Sequence, residues 1–192
     1  MRRSVLPALM GVVVLAGAVV LVNAGDKPAE EMQMEGKMEM KMPFGGPQDV
    51  GFAEGLWTAM TGYQDWPIVS GYYNGASPHG AFIRMYYGLV TVEEKPYHVV
   101  VKDNFGGEGA TLETVAESPG AYLMAVTVMV QRECGYDADN NDWFWVKYGP
   151  DGSVGMNDMG MALAGRVAKG MDMGCIACHK NAGGGDYLFV ND

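Results

Sequence analysis

The chain reads as an α+β protein: an antiparallel β-sheet domain with flanking helices and a helix near the C-terminus. Three observations predict this. Between Phe82 and Tyr148, four runs rich in aromatic and β-branched residues follow one another through short connections. Short connections favour antiparallel neighbours, because parallel strands need long crossovers. Helix-like apolar spacing of three and four residues appears only after these runs, from Met156 to Met171. Finally, the roughly 140 residues after position 50 are one domain's worth of chain.

The elements follow in order. Phe52 to Gly62 predicts a short helix with Trp57 and Met60 on its buried face. Phe82 to Val92 is the first strand, and Glu93-Glu94-Lys95-Pro96 turns it into a second over Tyr97 to Lys102. Gly106 to Gly109 breaks that strand, and Ala121 to Arg132 is the third. Asp137 to Asp142 is a turn, Trp143 to Tyr148 the fourth strand, and Pro150-Asp151-Gly152 the turn that ends it. Met156, Met159, Leu163, Val167 and Met171 then predict a helix whose methionines belong to the core.

Upstream, the composition changes twice. Met1-Arg2-Arg3-Ser4 is a short positive stretch, Val5 to Val22 carries no charge, and Val22-Asn23-Ala24 offers small residues to a signal peptidase. Residues 1–24 are therefore expected to be an export signal. The apolar run is also near the lower length limit of a membrane-spanning helix, so an uncleaved anchor stays open. Both readings put the folded part outside the cytoplasmic membrane, in the periplasm or an equivalent exported location. Residues 25–50 are expected to be a disordered tether, because they hold too little apolar surface to offset the entropy of ordering. Met32, Met34, Met38, Met40 and Met42 lie there, and such thioethers can also collect Cu(I). Residues 51–192 form the globular part. The formal charge is −10, and −12 once Arg2 and Arg3 leave with the signal. That balance argues against nucleic acid as a partner and suits either solubility or a basic redox partner.

The residues that carry chemistry come last. Cys175-Ile176-Ala177-Cys178-His179 is a C-x-x-C-H. Two cysteines at this spacing can take the two vinyl groups of one haem as thioethers, and the histidine that follows can ligate the iron. A zinc site would need a second pair of ligands, and only His79, His98 and Cys134 are left to supply it. The expected cofactor is one haem c, covalent through Cys175 and Cys178, with His179 as metal ligand. Export and haem agree, since c-type haem is attached outside the cytoplasm. No methionine or histidine follows His179, so the sixth position of an ordinary small electron-carrying cytochrome is not closed from downstream.

A C-terminal C-x-x-C-H on a sheet domain resembles the cytochrome P-460 family, which includes the β-type cytochromes c′. The resemblance covers roughly residues 57–190. It rests on Ser77-Pro78-His79-Gly80 with Ile83-Arg84-Met85-Tyr86, and on Val99-Val100-Val101-Lys102-Asp103. Its most specific part is Val126-Thr127-Val128-Met129-Val130 through Arg132-Glu133 to Gly135-Tyr136-Asp137 and Asp142-Trp143, and its end is Cys175 to His179 with Ala182, Asp186-Tyr187 and Phe189. Cys134 stands where relatives usually have proline, and Gly183-Gly184-Gly185 replaces a more polar linker. The resemblance implies a homodimer of sheet domains and a haem with an open distal face. Such a haem takes small gaseous or nitrogenous ligands, binding nitric oxide or oxidising hydroxylamine.

Two further residues are candidates for catalysis and cofactor binding. Arg84 shares a strand face with Phe82 and Tyr86, where a guanidinium can pair with a haem propionate or donate to a bound ligand. Lys102 ends a run of three valines. In the hydroxylamine-oxidising members of the family, a lysine at the matching position bonds to a haem meso carbon; the β-type cytochromes c′ lack that bond. Of the upstream histidines, His98 is the better distal-ligand candidate because it shares a face with Val100 and Lys102, while His79 reads first as a loop hydrogen-bonder. Cys134 reads as a buried free thiol beside a turn, with an intermolecular disulfide as the alternative. Three functions follow: a haem enzyme acting on hydroxylamine or nitric oxide, a non-catalytic nitric-oxide-binding cytochrome c′-β, and a simple electron carrier.

Overall fold

In the computed structural model, which describes residues 43–189, the four apolar runs become neighbouring strands of one seven-stranded antiparallel sheet. In chain order the elements are helix α1 (Pro47–Ala59), strands β1 (Ile68–Val69), β2 (Tyr73–Asn74), β3 (Phe82–Val92) and β4 (Lys95–Phe105), helices α2 (Leu112–Glu117) and α3 (Pro119–Tyr122), strands β5 (Leu123–Gln131), β6 (Trp143–Tyr148) and β7 (Ala164–Gly165), and helix α4 (Cys175–His179). The sheet order is β1-β3-β4-β5-β6-β7, and β2 also pairs with β3. The predicted bounds of β3 and β6 match the observed strands. The β3–β4 hairpin is tighter than expected, since Glu93 and Glu94 alone make the turn, at φ 49° and 64°. Pro96 thereby enters β4, at a level that β5 does not reach because its pairing starts at Val99.

Strand alternation sends side chains to two faces. Tyr86, Val90, Val99, Val101, Val126, Val128, Phe144, Val146 and Tyr148 form one core with Phe52, Ala53 and Leu56 of α1 and with Met60, which caps it. Tyr148 ties helix to sheet by donating its hydroxyl to the Ala53 carbonyl at 2.6 Å. Phe52 packs edge-on against Phe144, with ring centroids 4.8 Å apart. Phe144→Ala should therefore cost about 3–5 kcal/mol, because it removes a fully buried ring that both layers pack around. A urea titration reads this as a lower midpoint at an unchanged slope, and a loss below about 1 kcal/mol would show that the two layers close up without it.

The other face gathers Ile83, Met85, Val100, Met129, Trp143, Trp145, Val167, Ala168, Ile176 and Tyr187 in a second core. This is the face on which α4 lies.

Several boundaries differ from the sequence expectation: β4 runs on past Lys102 to Phe105, β5 is shorter at both ends, and the first helix ends at Ala59. Helix α1 starts at Pro47, with the Asp49 carboxylate accepting from the Gly46 N–H at 3.3 Å, so the folded unit begins before residue 51. Phe44 is buried as well. The remainder of the expected tether, its copper-binding alternative and the export signal lie outside the described residues. Among the described residues, no helix is long and apolar enough to cross a membrane.

The helix expected over Met156 to Met171 does not form. Gly160, Gly165 and Gly170 take positive φ there, and so does Ala168 at 61°. The segment instead folds back along β6, with Gly155 N–H on the Lys147 carbonyl and Leu163 N–H on the Gly155 carbonyl, each at 2.8 Å. The methionines of the predicted stripe are consequently not core, Met156 being 58% exposed and Met159 72%, whereas Met161 packs against the second core. Repeated glycine outweighs apolar periodicity, because each one disfavours helix and permits a reversal.

Candidate haem site

Helix α4 is five residues long and contains the whole C-x-x-C-H. It starts from Gly174 at φ 122°, where a Cβ would stand 2.3 Å from the Cβ of Ala168. Only glycine suits that entry. Cys175 and Cys178, one helical turn apart, lie on neighbouring positions of the helix surface. Cys178 is exposed and Cys175 half-buried. Burial pushes the Cys175 thiol up to about 11, which keeps it protonated and unreactive as a metal-binding thiolate.

His179 is buried, at 6% exposure. Its Nδ1 meets the Tyr187 carbonyl at 2.7 Å. A carbonyl only accepts, so Nδ1 carries the proton and Nε2 keeps its lone pair for a metal. Burial lowers the imidazole to about 4, the hydrogen bond to Tyr187 opposing it, so the ring is neutral at pH 7.

The carbonyl that orients His179 is itself clamped. Tyr187 sits at φ 66°, and its hydroxyl donates to the Asp139 carbonyl at 3.3 Å. Trp143 Nε1 donates to the Asp186 carbonyl at 3.0 Å, and Asn141 Nδ2 to the Gly185 carbonyl at 2.7 Å. Lys169 adds an ion pair to Asp137. The expected Asp137 to Asp142 turn thus serves as the clasp that holds the chain end against the sheet.

Lys102 faces this site. It pairs in register with Met85 on β3 and Thr127 on β5, and Thr127 pairs with Lys147 on β6, a row across one sheet face. Lys102 is 6% exposed, and burial depresses its amine to about 8, with Cys178 close enough to oppose the shift. Among the described residues its ammonium has no ion-pair partner.

Arg84 does not face the site. Its register partner is Asp103, so it points to the α1 side, opposite Lys102. There it donates to the Tyr72 hydroxyl at 3.2 Å and lies near Asp103, whose carboxylate accepts from Tyr63 at 2.6 Å. Strand alternation gave each residue's face within its own strand, and the register between strands separates the two.

His98 is exposed near the hairpin end of β4, which removes the better of the two predicted distal candidates. His79 is the one brought in. Its ring centroid is 6.1 Å from that of His179, and its Nδ1 meets Asn104 Oδ1 at 2.8 Å. Gly80 permits this, since a Cβ there would stand 2.3 Å from the Phe105 carbonyl oxygen. The Ser77-Pro78-His79-Gly80 sequence held the signal, in a glycine beside a histidine, but only the tertiary contact gives it meaning. Cys134 is exposed rather than buried, because it lies in the turn that follows β5.

The donor set suits haem c: two thiols one turn apart, a neutral imidazole with a free Nε2, and an apolar floor of Met85, Val100, Met129 and Trp145. Trp145 Nε1 and Tyr73 Oη are also buried on this face without a partner, as polar groups are where a further molecule completes a site. No protein-family model matches the chain, and no curated protein and no solved structure matches it.

Proposed function

We propose that this chain is an exported mono-haem c-type cytochrome that binds and oxidises small nitrogenous ligands, with hydroxylamine or nitric oxide as substrate. The observation that carries this is His179, held in one tautomer by the Tyr187 carbonyl, with Nε2 free beside two thiols in C-x-x-C-H spacing. Haem, when bound, supplies an iron that passes single electrons and coordinates the ligand's nitrogen. Cys175 and Cys178 hold it covalently. His179 would ligate the iron through Nε2, and the clasp around Tyr187 keeps that imidazole from rotating. Lys102 brings a desolvated amine to the same sheet face, which favours a converting site over a purely binding one. In this reading the protein is a homodimer that hands electrons to a basic redox partner, its acidic surface steering the encounter.

The test titrates the purified protein with hydroxylamine and with nitric oxide, in the presence of an artificial electron acceptor. Saturable spectral changes, altered in His179→Ala, and hydroxylamine-dependent reduction of the acceptor, lost in that variant, are the expected result. Binding without acceptor reduction makes the protein a nitric-oxide-binding cytochrome c′-β. Electron exchange without ligand binding makes it a carrier.

A further inference from the structure

Resting on the haem reading above, we propose that His79 supplies a second imidazole nitrogen to the same iron, opposite His179, and that a small ligand enters only when His79 leaves.

The argument starts from Asn104, which is 3% exposed. Its Nδ2 faces three acceptors: the Lys102 carbonyl at 2.8 Å, the Ala125 carbonyl at 3.2 Å and Thr127 Oγ1 at 3.1 Å. The amide is therefore fixed with Oδ1 toward His79, because the reverse orientation would set an oxygen against two carbonyls. An amide oxygen only accepts. The 2.8 Å contact then requires His79 Nδ1 to carry the proton, leaving the lone pair on Nε2. His179 is in the same tautomer for the same reason, through Tyr187. Two neighbouring histidines thus each have Nδ1 spent on an oxygen and Nε2 free, the arrangement of a ligating imidazole with its outer-shell partner.

The separation fits one ion between them. Metal–imidazole bonds of about 2.0–2.1 Å, with about 1.1 Å from nitrogen to ring centre, place two opposed rings about 6.3 Å apart. The observed centroids are 6.1 Å apart, with ring planes at 79°. A histidine that only hydrogen-bonded to a small ligand on the iron would stand roughly 2–3 Å farther off, because the ligand's atoms and a hydrogen bond intervene. The loop that carries His79 is seated on β4 through the close approach of Gly80 to Phe105. Departure of His79 therefore means breaking the Asn104 contact, so the rate of ligand entry is set by a side-chain motion.

Extraction of covalent haem decides the underlying reading first. Given haem, the ferric protein is expected to show a low-spin electron paramagnetic resonance and optical spectrum at rest. Its rate of nitric oxide binding should level off as the gas concentration rises. His79→Ala should turn the resting iron high-spin, make the rate linear in nitric oxide, and raise it at least tenfold at the highest concentration. A high-spin resting spectrum in the unaltered protein overturns the proposal by itself, whether or not the variant folds. So does a low-spin spectrum that His79→Ala leaves unchanged. Asn104→Asp provides an independent reading: a carboxylate on Nδ1 makes the imidazole a stronger donor and should lower the iron's reduction potential. An unchanged potential in that variant counts against ligation.

Discussion

Replacing Cys175 and Cys178 together by alanine should release all haem into acidified organic solvent, whereas the unaltered protein should retain all of it. Attachment adds each S–H across a vinyl double bond, forming C–S and C–H with nothing lost and no change of oxidation state. The mass of the intact protein should therefore equal chain plus haem, and each single variant should keep one of the two bonds. His179→Ala separates attachment from ligation, since the thioethers use sulfur and the iron uses Nε2. It should keep covalent haem while changing the iron's spin state and ligand affinity. The cysteine variants should fold, because Cys178 is exposed, Cys175 is half-buried and Ile176 keeps α4 in the core. Haem that leaves the unaltered protein under acid would remove the basis of the functional reading.

Most of the sheet was legible because its strands obey a local rule. Apart from Arg84, Gly88 and Lys147, Phe82 to Val92 and Trp143 to Tyr148 are apolar, β-branched or aromatic, and both faces of each bear on a core. The motif at Cys175 was legible for a different reason: its chemistry depends on spacing within five residues. What was not legible depends on pairs far apart in sequence. Arg84 and Lys102 each looked like a residue on a half-buried face, and only the Arg84–Asp103 register shows that they lie on opposite sides. His79 and His179 are a hundred positions apart, and the glycine that lets the first approach Phe105 carries no sign of its target. The stripe from Met156 to Met171 misled because periodicity counts apolar side chains and ignores the backbone. Four glycines within 155–170 decide that segment, and the chain there turns back along the sheet edge, where β7 pairs with β6. Helix α1 began early because Pro47 and Asp49 form a good helix start within a stretch whose composition otherwise reads as linker.

The largest functional effect expected from a single side chain lies at Lys102, which should be bonded to the haem and should decide between enzyme and gas binder. Its neutral amine would be the nucleophile. Burial lowers it to about 8, so at pH 7 about one molecule in ten carries a neutral Lys102, against roughly one in three thousand for an ordinary lysine. Asp103 does not undo this, because it points to the opposite face and is hydrogen-bonded to Tyr63. Forming the bond replaces a meso C–H and an N–H by C–N and releases two protons and two electrons, so an oxidant, such as the redox partner, must take them. With the oxidant in excess, the rate of bond formation should rise about tenfold per pH unit below 8 and level off above it; a bare lysine would keep climbing past 10. Lys102→Arg should abolish the bond while keeping a cation at the site, because guanidinium stays charged throughout this range. The check is peptide mapping of the haem-bearing fragment after proteolysis. A haem carrying both the Cys175–Cys178 peptide and the Lys102 peptide, with a Soret band far to the red that returns to ordinary haem c in Lys102→Arg, establishes the enzyme. A haem carrying the C-x-x-C-H peptide alone, with a spectrum that Lys102→Arg does not alter, leaves a buried amine beside a ligand-binding iron and makes the protein a gas binder of the β-type cytochrome c′ kind.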